Sequence, residues 1–272
     1  MPHLYLARRS RLSVCALGLC ALATMLSGTA AAPAAEPSSF RGEYTVSYLG
    51  LSLARASFSS RYADGAYSID GSVASAGLAT IFDDTRGTLK ATGRIAGDQL
   101  VPTAFRADYT SGKKASLVDI RFAGGRVVST KVLPPPKKRG RNWFPLRAGD
   151  LAGVADPIAA TAVPAPSLDK VCGRTVKMYD GEMRANLVLS PVEKGTIAVT
   201  GYEGPTVTCR MQFQPVSGYR KGRKALEFLR TKSRIVVTFA PLGRTGIYAP
   251  IHATVGTQIG TITIHARRFE AG

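Results

Sequence analysis

Histidine and acidic residues are scarce in this chain of 272 residues. It contains 3 His, and 18 Asp and Glu stand against 36 Lys and Arg, which leaves a formal net charge of +18. Only His252 and His265 lie beyond the first 35 residues, so the chain cannot assemble a histidine-rich metal site. Both stand beside threonines and have no carboxylate nearby in sequence, which favours solvated or threonine-bonded sheet residues over general bases.

The motifs of common enzyme classes are also absent. The sequence has no G-x-S-x-G nucleophile elbow, no G-x-x-x-x-G-K-S/T phosphate loop, no H-E-x-x-H and no dinucleotide-binding G-x-G-x-x-G. The one adjacent acidic pair, Asp83-Asp84, is explained by a turn or strand edge paired with Arg86. The sequence therefore predicts no catalytic residue, no metal ligand and no cofactor. A hydrolase would need two acidic groups, or a histidine and an acid, to converge in a pocket, with Asp83, Asp84, His252 and His265 as the candidates.

The N-terminus holds the longest apolar run. Three arginines between residues 8 and 11 precede an apolar stretch from Leu12 to Leu26, and small residues follow from Thr29 to Ala35. This order predicts a cleavable signal peptide over residues 1–35, export to the periplasm and no transmembrane segment after cleavage; an uncleaved membrane anchor is the alternative. Loss of the three arginines lowers the net charge from +18 to +15.

Four cysteines are present, and two of them, Cys172 and Cys209, remain after the expected cleavage. In an exported chain two cysteines most simply form one disulfide, which loop-closure entropy predicts to contribute roughly 3 to 4 kcal/mol. A thiol nucleophile or a metal pair is the alternative, but no histidine or acidic cluster accompanies either cysteine. We therefore predict a Cys172–Cys209 disulfide.

Apolar and polar residues alternate with a period of two over most of the remaining chain. Tyr44, Val46 and Tyr48 alternate with polar residues, and similar segments recur with Gly, Asp-Gly or Pro between them. They predict an all-β, mainly antiparallel fold in which a single curled sheet forms an open or spiral β-barrel, because a large sheet cannot stay flat. Asp180-Gly181 predicts a hairpin turn.

Residues 133–150 interrupt the alternation with three consecutive prolines and a run of basic residues, and we expect an exposed loop there. Residues 150–162, which follow it, are the best candidate for one short helix, with Asp156 as its cap and Pro157 in its first turn. A linker between two β domains is the alternative. Neither half shows its own repeat or composition shift, so we predict a single domain over residues 36–272.

Basic residues concentrate in two clusters. Such clusters bind phosphates and carboxylates through charge-assisted hydrogen bonds, and outside the cytoplasm the available polyanions are phospholipid, lipopolysaccharide and peptidoglycan. Nucleic acid has the right charge but lies in the wrong compartment, and a solvated face that keeps the protein soluble is the alternative. The predicted anion-binding patch consists of Lys137, Lys138, Arg139, Arg141, Arg220, Lys221, Arg223 and Lys224.

Several short motifs follow one another along the chain: Tyr44-x-Val46 before Gly50-Leu51, Leu100-Val101-Pro102, Cys172 before Tyr179-Asp180-Gly181 and Arg184, Cys209 before Pro215-Val216-Ser217-Gly218-Tyr219, and Ala240-Pro241 before Tyr248-Ala249-Pro250. In this order the chain resembles the exported bacterial family known as domain of unknown function 3108. The resemblance implies a periplasmic β protein similar to the spiral or half-open barrels of envelope-integrity proteins and lipoprotein carriers. It supplies no catalytic residue.

Together these observations predict a non-enzymatic periplasmic protein that supports envelope integrity. An apolar concave face of the sheet would take acyl chains, and a basic rim would take anionic headgroups. Candidate partners are anionic lipid, lipopolysaccharide, peptidoglycan or a periplasmic protein, and nucleic acid is not among them. A scaffold or chaperone-like factor with a filled barrel is the second hypothesis, and an envelope hydrolase is the third.

Overall fold

Antiparallel β-strands account for most of the chain in the computed structural model, which describes residues 38–77, 80, 84–136 and 139–272. An α-helix, α1 (Lys224–Thr231), and two 3-10 turns, Ala159–Thr161 and Leu168–Lys170, add to the regular structure of these residues. The predicted all-β fold is confirmed. The strands are β1 (Ser38–Tyr48), β2 (Leu51–Ala63), β3 (Ala66–Ser75), β4 (Thr85–Ala96), β5 (Gln99–Ser111), β6 (Lys114–Ala123), β7 (Arg126–Leu133), β8 (Trp143–Phe144), β9 (Val163–Pro164), β10 (Arg174–Tyr179), β11 (Arg184–Val199), β12 (Tyr202–Ser217), β13 (Tyr219–Arg220), β14 (Ile235–Pro241), β15 (Ile247–Thr257) and β16 (Gly260–Ala271).

Most of these strands belong to one curled sheet. Its order is β10-β11-β12-β14-β15-β16-β1-β2-β3-β4-β5-β6-β7, with β9 paired to β15, and β8 and β13 form a separate pair. The first and last strands of the chain meet inside this sheet, where Val46 faces Ile264 and Tyr44 faces Ala266. The chain between β7 and β10 therefore connects the two opposite edges of the sheet.

A short segment, residues 151–155, pairs with both edges of the sheet. Gly153 donates its N–H to the Gly125 carbonyl beside β7 at 2.7 Å. Ala155 donates to the Lys177 carbonyl of β10 at 2.8 Å. Within the described ranges no ladder joins β7 directly to β10, so the barrel is open and this segment occupies its seam. Edges that are paired in this way are protected from pairing with other chains.

Two hydrophobic clusters hold the sheet together, and both are flanked by Met211 and Phe213. The first cluster gathers buried aromatic residues from both halves of the sheet, among them Phe105 and Phe269, and includes two alanines of the turn Ala159–Thr161. A fully buried Phe or Leu side chain contributes about 1.5–3 kcal/mol. The connection between the sheet edges is therefore part of the core.

The predicted disulfide lies in the second cluster and joins Cys172 to Cys209, whose Cα atoms are 5.7 Å apart. Cys209 lies in β12, and Cys172 follows the turn Leu168–Lys170. Both cysteines are buried, and Leu189 and Phe239 belong to the same cluster. The bond thus fastens the end of the edge-to-edge connection to the sheet.

The predicted hairpin turn is present between β10 and β11. The Asp180 carboxylate accepts hydrogen bonds from the N–H groups of Glu182 (2.9 Å) and Met183 (2.7 Å). Gly181 has a φ of +104°. The side chain of Asp180 therefore supplies the local hydrogen bonds that a tight turn needs.

The short helix expected after the loop is a 3-10 turn, Ala159–Thr161. The Asp156 carboxylate accepts hydrogen bonds from the N–H groups of Ile158 and Ala159, both at 2.9 Å, although the N-cap residue of the turn is Ile158 and not Asp156. The α-helix of the structure, α1, was not predicted. Its apolar residues are few and stand among basic ones, which hides the helical spacing of Leu226 and Leu229.

Two features of the sequence fall outside the described residues, namely the expected signal peptide over residues 1–35 and Asp83. Asp84 lies directly before β4 and accepts two hydrogen bonds of 3.2 Å from the Arg86 guanidinium, the pairing expected for this acidic segment. In the part of the chain that the structure describes, no helix is both long and apolar enough to cross a membrane.

Candidate functional site

The two predicted basic clusters, far apart in sequence, meet in the small sheet. Strands β8 and β13 place Trp143 opposite Arg220 and Phe144 opposite Tyr219. A hydrogen bond from the Lys221 N–H to the Asn142 carbonyl, 2.8 Å long, continues this pairing. Basic residues that flank both strands therefore become neighbours. We call this surface the basic platform and define it by Arg139, Arg141, Arg147, Arg220, Lys221, Arg223 and Arg230.

Gly218 determines where β13 begins. Its N–H donates to the Phe144 carbonyl at 2.7 Å, which joins the end of β12 to β8. Its φ is +73°, and a Cβ atom at this position would lie 1.9 Å from the carbonyl oxygen of Glu182. Only glycine fits here without a shift of the backbone. The basic platform is thus positioned against the turn between β10 and β11.

Aromatic rings of the small sheet support three of the platform cations. The Arg139 guanidinium lies 4.6 Å from the centroid of the Trp143 ring. Arg147 and Lys221 lie 5.3 and 5.2 Å from the centroid of the Phe144 ring. A cation–π contact contributes about 0.5–1 kcal/mol at an exposed site. These side chains are therefore partly ordered before a ligand arrives, which lowers the entropy lost on binding.

A pocket of about 310 Å³ opens between β13 and the first turns of α1. Four cations and one acid line it, together with the ring of Tyr219 and the side chain of Leu226. This volume lies at the lower end of the range for ligand pockets, about 300–1,000 Å³. It therefore suits a polar headgroup better than an acyl chain. The charged residues of the lining are Arg220, Lys221, Arg223, Arg230 and Glu227.

Few carboxylates neutralise the basic platform. Glu227 pairs with Arg230 at 2.5 Å, and this hydrogen bond holds the pKa of the Glu227 carboxyl below its usual value. Arg139 lies 4.0 Å from Glu182. Among the described residues, no carboxylate oxygen lies within 4.0 Å of a side-chain nitrogen of the other platform cations, although the Asp150 carboxylate accepts a hydrogen bond from the backbone N–H of Arg147. Unpaired guanidinium groups can form bidentate hydrogen bonds with a phosphate or a carboxylate.

A buried arginine lies behind this surface. Arg184 begins β11, faces Ser217 of β12 and is only 5% exposed. Burial lowers the pKa of its guanidinium, whereas the charge of Asp150 acts in the opposite direction. The Ser217 hydroxyl, the hydrogen bond from the Arg147 N–H (2.7 Å) and the charge of Arg184 hold the pKa of Asp150 below its usual value. The charge of Asp150 thus partly offsets that of Arg184, although the Nε and Nη1 atoms of Arg184 have no hydrogen-bond partner among the described residues.

The structure describes most of the predicted anion-binding patch. Lys137 and Lys138 lie outside the described residues, and Lys224 is the exposed first residue of α1. The predicted patch did not include Arg147 or Arg230. Arg230 belongs to the same basic run as the predicted residues, so the sequence alone would have allowed it to be included in the patch. No local pattern shows that Arg147 lies over a ring of the small sheet.

A larger depression, about 1050 Å³, is formed by β1–β5 and β16. It carries charges of both signs, because Arg55 and Arg86 occur with Glu43 and Asp108. Asp108 is already paired with Arg106 of β5, at 2.7 Å. Three cations and two acids line this depression, against four cations and one acid in the pocket of the basic platform, so it is the weaker candidate for an anionic ligand.

A family model supports the resemblance that the order of the short motifs indicated. The family model described as "Protein of unknown function (DUF3108)" matches residues 43–267. The chain belongs to this family. The match confirms the resemblance inferred from the sequence, and it includes both strands of the small sheet. The description of DUF3108 names no activity, so the function has to be argued from the residues of this chain.

One solved structure supports the fold of this DUF3108 chain. It resembles a beta-barrel-like protein of domain of unknown function DUF1849 from Brucella abortus, with a TM-score of 0.50 and 11% identity over 87% of this chain and 98% of that one. A candidate lipoprotein from Parabacteroides distasonis gives a TM-score of 0.33 and 8% identity over 85% and 95% of the two chains, too distant for an inference. None of the curated proteins matches the sequence.

Proposed function

We propose that this protein is an exported, non-enzymatic binding protein that holds the phosphate-bearing headgroup of an anionic envelope lipid on its basic platform. One observation carries the proposal. Cations from two distant segments flank the aromatic residues of the small sheet, and four of them line a pocket of about 310 Å³ that contains one carboxylate. The bound lipid would keep the protein at the membrane surface, in a role that supports envelope integrity.

The composition of the basic platform favours phosphate. Six of its seven defining residues are arginines, and the planar guanidinium group matches two phosphate oxygens at once. Tyr219 and Leu226 add apolar contact at the same pocket, next to which the glycerol part of a lipid would lie. Each Lys or Arg near an anionic membrane surface contributes about 1 kcal/mol of attraction. A few well-placed cations therefore suffice for measurable binding.

Three observations support the compartment and the absence of catalysis. The N-terminal pattern is typical of export, and the Cys172–Cys209 disulfide is of the kind that persists outside the cytoplasm. The available polyanions there are envelope lipids and polymers. The common catalytic motifs are absent from the sequence, which favours binding over turnover.

Sedimentation with lipid vesicles tests the proposal. The purified protein is mixed with vesicles of phosphatidylcholine alone or of phosphatidylglycerol and phosphatidylcholine in equal parts. We expect binding to the anionic vesicles only, and weaker binding as salt is raised, because salt screens exposed charges. The variant Arg220→Gln/Arg223→Gln should bind more weakly. The matched control, Arg61→Gln/Arg94→Gln, removes the same charge from exposed strand residues of β2 and β4 and should bind like the wild type.

The same assay identifies the outcomes that contradict the proposal. Equal weakening by both variants would mean that only the net charge matters. Binding to isolated peptidoglycan but not to anionic vesicles would indicate that the ligand is a polymer with carboxylate groups and not a lipid phosphate. No binding to either, together with recovery of one specific protein by crosslinking in cells, would favour the scaffold hypothesis.

A further inference from the structure

The two histidines of the described residues form a pair on adjacent strands. His252 of β15 and His265 of β16 are directly opposite each other in the antiparallel ladder. Their rings are 5.7 Å apart between centroids, with an interplanar angle of 67°. Directly opposed residues project from the same face of a sheet. Two imidazoles that are separated in the sequence by a hairpin therefore share one small surface.

The surroundings of the pair are polar and uncharged on both sides. Thr238 of β14 is opposite His252, and Thr45 of β1 is opposite His265, so each ring has a threonine as its lateral neighbour. Along β16 the nearest cation is Arg267, two residues further on. Both histidines are half-buried. Burial, together with the charge of His265, lowers the pKa of His252.

We propose that His252 and His265 chelate a divalent transition-metal ion, with the remaining coordination positions filled by water. Imidazole nitrogen suits Cu²⁺, Zn²⁺ and Ni²⁺, and affinity among the divalent ions of the first row peaks at Cu²⁺. Bonds of about 2.0–2.1 Å from one nitrogen of each ring would bring the ring centroids to roughly 4.5–5 Å. The observed separation of 5.7 Å therefore requires a movement of only about 1 Å, within the reach of side-chain rotation.

The proposal is independent of the lipid function. The pair belongs to β15 and β16, whereas the basic platform belongs to β13, α1 and the loop around β8. Among the described residues no group of three His, Cys, Asp or Glu side chains is placed to hold a metal ion, so the site has two protein ligands. Such a chelate should be of moderate affinity and exchangeable.

Titration calorimetry and electron paramagnetic resonance with Cu²⁺ test this site. The untagged, metal-free protein should bind one Cu²⁺ ion with a spectrum typical of nitrogen ligands. His252→Ala and His265→Ala should each weaken the affinity at least tenfold. The double variant should add little to either single change, because removal of one ligand already breaks the chelate. Thr254→Ala, on the same face of β15 two residues along, is the matched control and should bind like the wild type.

Thermal unfolding of each variant without metal checks that the sheet remains intact. Added Cu²⁺ should then raise the melting temperature of the wild type and of Thr254→Ala, but not that of the histidine variants, because only a ligand of the native state stabilises it. Undiminished Cu²⁺ binding by the double variant would overturn the proposal, since the ion would then be held elsewhere. Absence of Cu²⁺ binding by the wild type would overturn it equally.

Discussion

Replacement of Gly218 by alanine perturbs the one backbone position that joins the main sheet to the basic platform. Two effects add at this position. An alanine at a φ of +73° adopts a left-handed conformation that costs about 1–2 kcal/mol. The new Cβ would also lie 1.9 Å from the Glu182 carbonyl oxygen and 3.0 Å from the Met183 Cα. Both neighbours are backbone atoms, so relief requires a shift of the turn, at roughly 1–3 kcal/mol for an overpacked site.

Gly222 provides a matched control for this change. Its φ is +75°, nearly that of Gly218, but no heavy atom lies within 4 Å of the position that its Cβ would occupy. Gly222→Ala should therefore lose about 1–2 kcal/mol of stability from its left-handed backbone conformation, with no added cost from a steric clash. Replacing glycine by alanine also lowers the conformational entropy of the unfolded chain. This effect is the same for both replacements, so it cancels when their free energies of unfolding are compared. Gly218→Ala should lower the free energy of unfolding by about 1–3 kcal/mol more than Gly222→Ala.

Urea unfolding, followed by fluorescence under conditions that keep the disulfide intact, measures this difference. Because the Gly218 N–H also donates to Phe144, the displaced strand should weaken vesicle binding in Gly218→Ala even well below its unfolding midpoint. Equal destabilisation by the two replacements would refute the reasoning. It would mean that the turn at Glu182 does not set the position of β13.

Two further predictions concern the core. Cys172→Ala/Cys209→Ala opens a bond across a sequence separation of 37 residues, and chain entropy predicts a loss of about 4 kcal/mol in the free energy of unfolding; a loss below about 1 kcal/mol would contradict it. Burial raises the pKa of Asp156 from 3.8 to about 6, so the native state keeps a proton that the unfolded state loses, and stability falls as pH rises through this interval. Asp156→Asn should therefore gain stability relative to the wild type, by up to about 3 kcal/mol between about pH 4 and pH 7. Urea unfolding measures the difference in free energy of unfolding between Asp156→Asn and the wild type; the same difference at about pH 4 and about pH 7 would contradict this prediction.

The parts of the fold that depend on local patterns were predictable. Alternation at Tyr44, Val46 and Tyr48 predicts β1, because a strand exposes its side chains to opposite faces in turn. Asp180-Gly181 predicts the turn between β10 and β11, since the side chain of Asp180 supplies hydrogen bonds within the turn itself. The expectation of export and the number of cysteines together predict the Cys172–Cys209 bond. In each case the interaction that determines the structure either joins residues a few positions apart or, as for the disulfide, has only one expected partner.

The candidate site was predictable only as two separate clusters. The pairing of Trp143 with Arg220 involves two strands of two residues each, too short for a periodic signal, and it depends on Gly218 lying against a turn elsewhere in the chain. The opposition of His252 and His265 likewise depends on the register of a hairpin, and a shift of one residue would place them on different faces. Helix α1 was hidden for a different reason: its few apolar residues stand among basic ones, and none of its residues is buried.

The ratio of vesicle affinities between the two matched arginine variants tests the central claim most directly. Loss of two cations from the basic platform should cost about 2 kcal/mol, or roughly 30-fold in affinity for phosphatidylglycerol vesicles at low salt. Arg61→Gln/Arg94→Gln carries the same net charge and should remain close to the wild type, so the account predicts that it binds about 30-fold more tightly than Arg220→Gln/Arg223→Gln. A ratio near one would show that the convergence of β8 and β13 does not form a binding site, and would contradict the account.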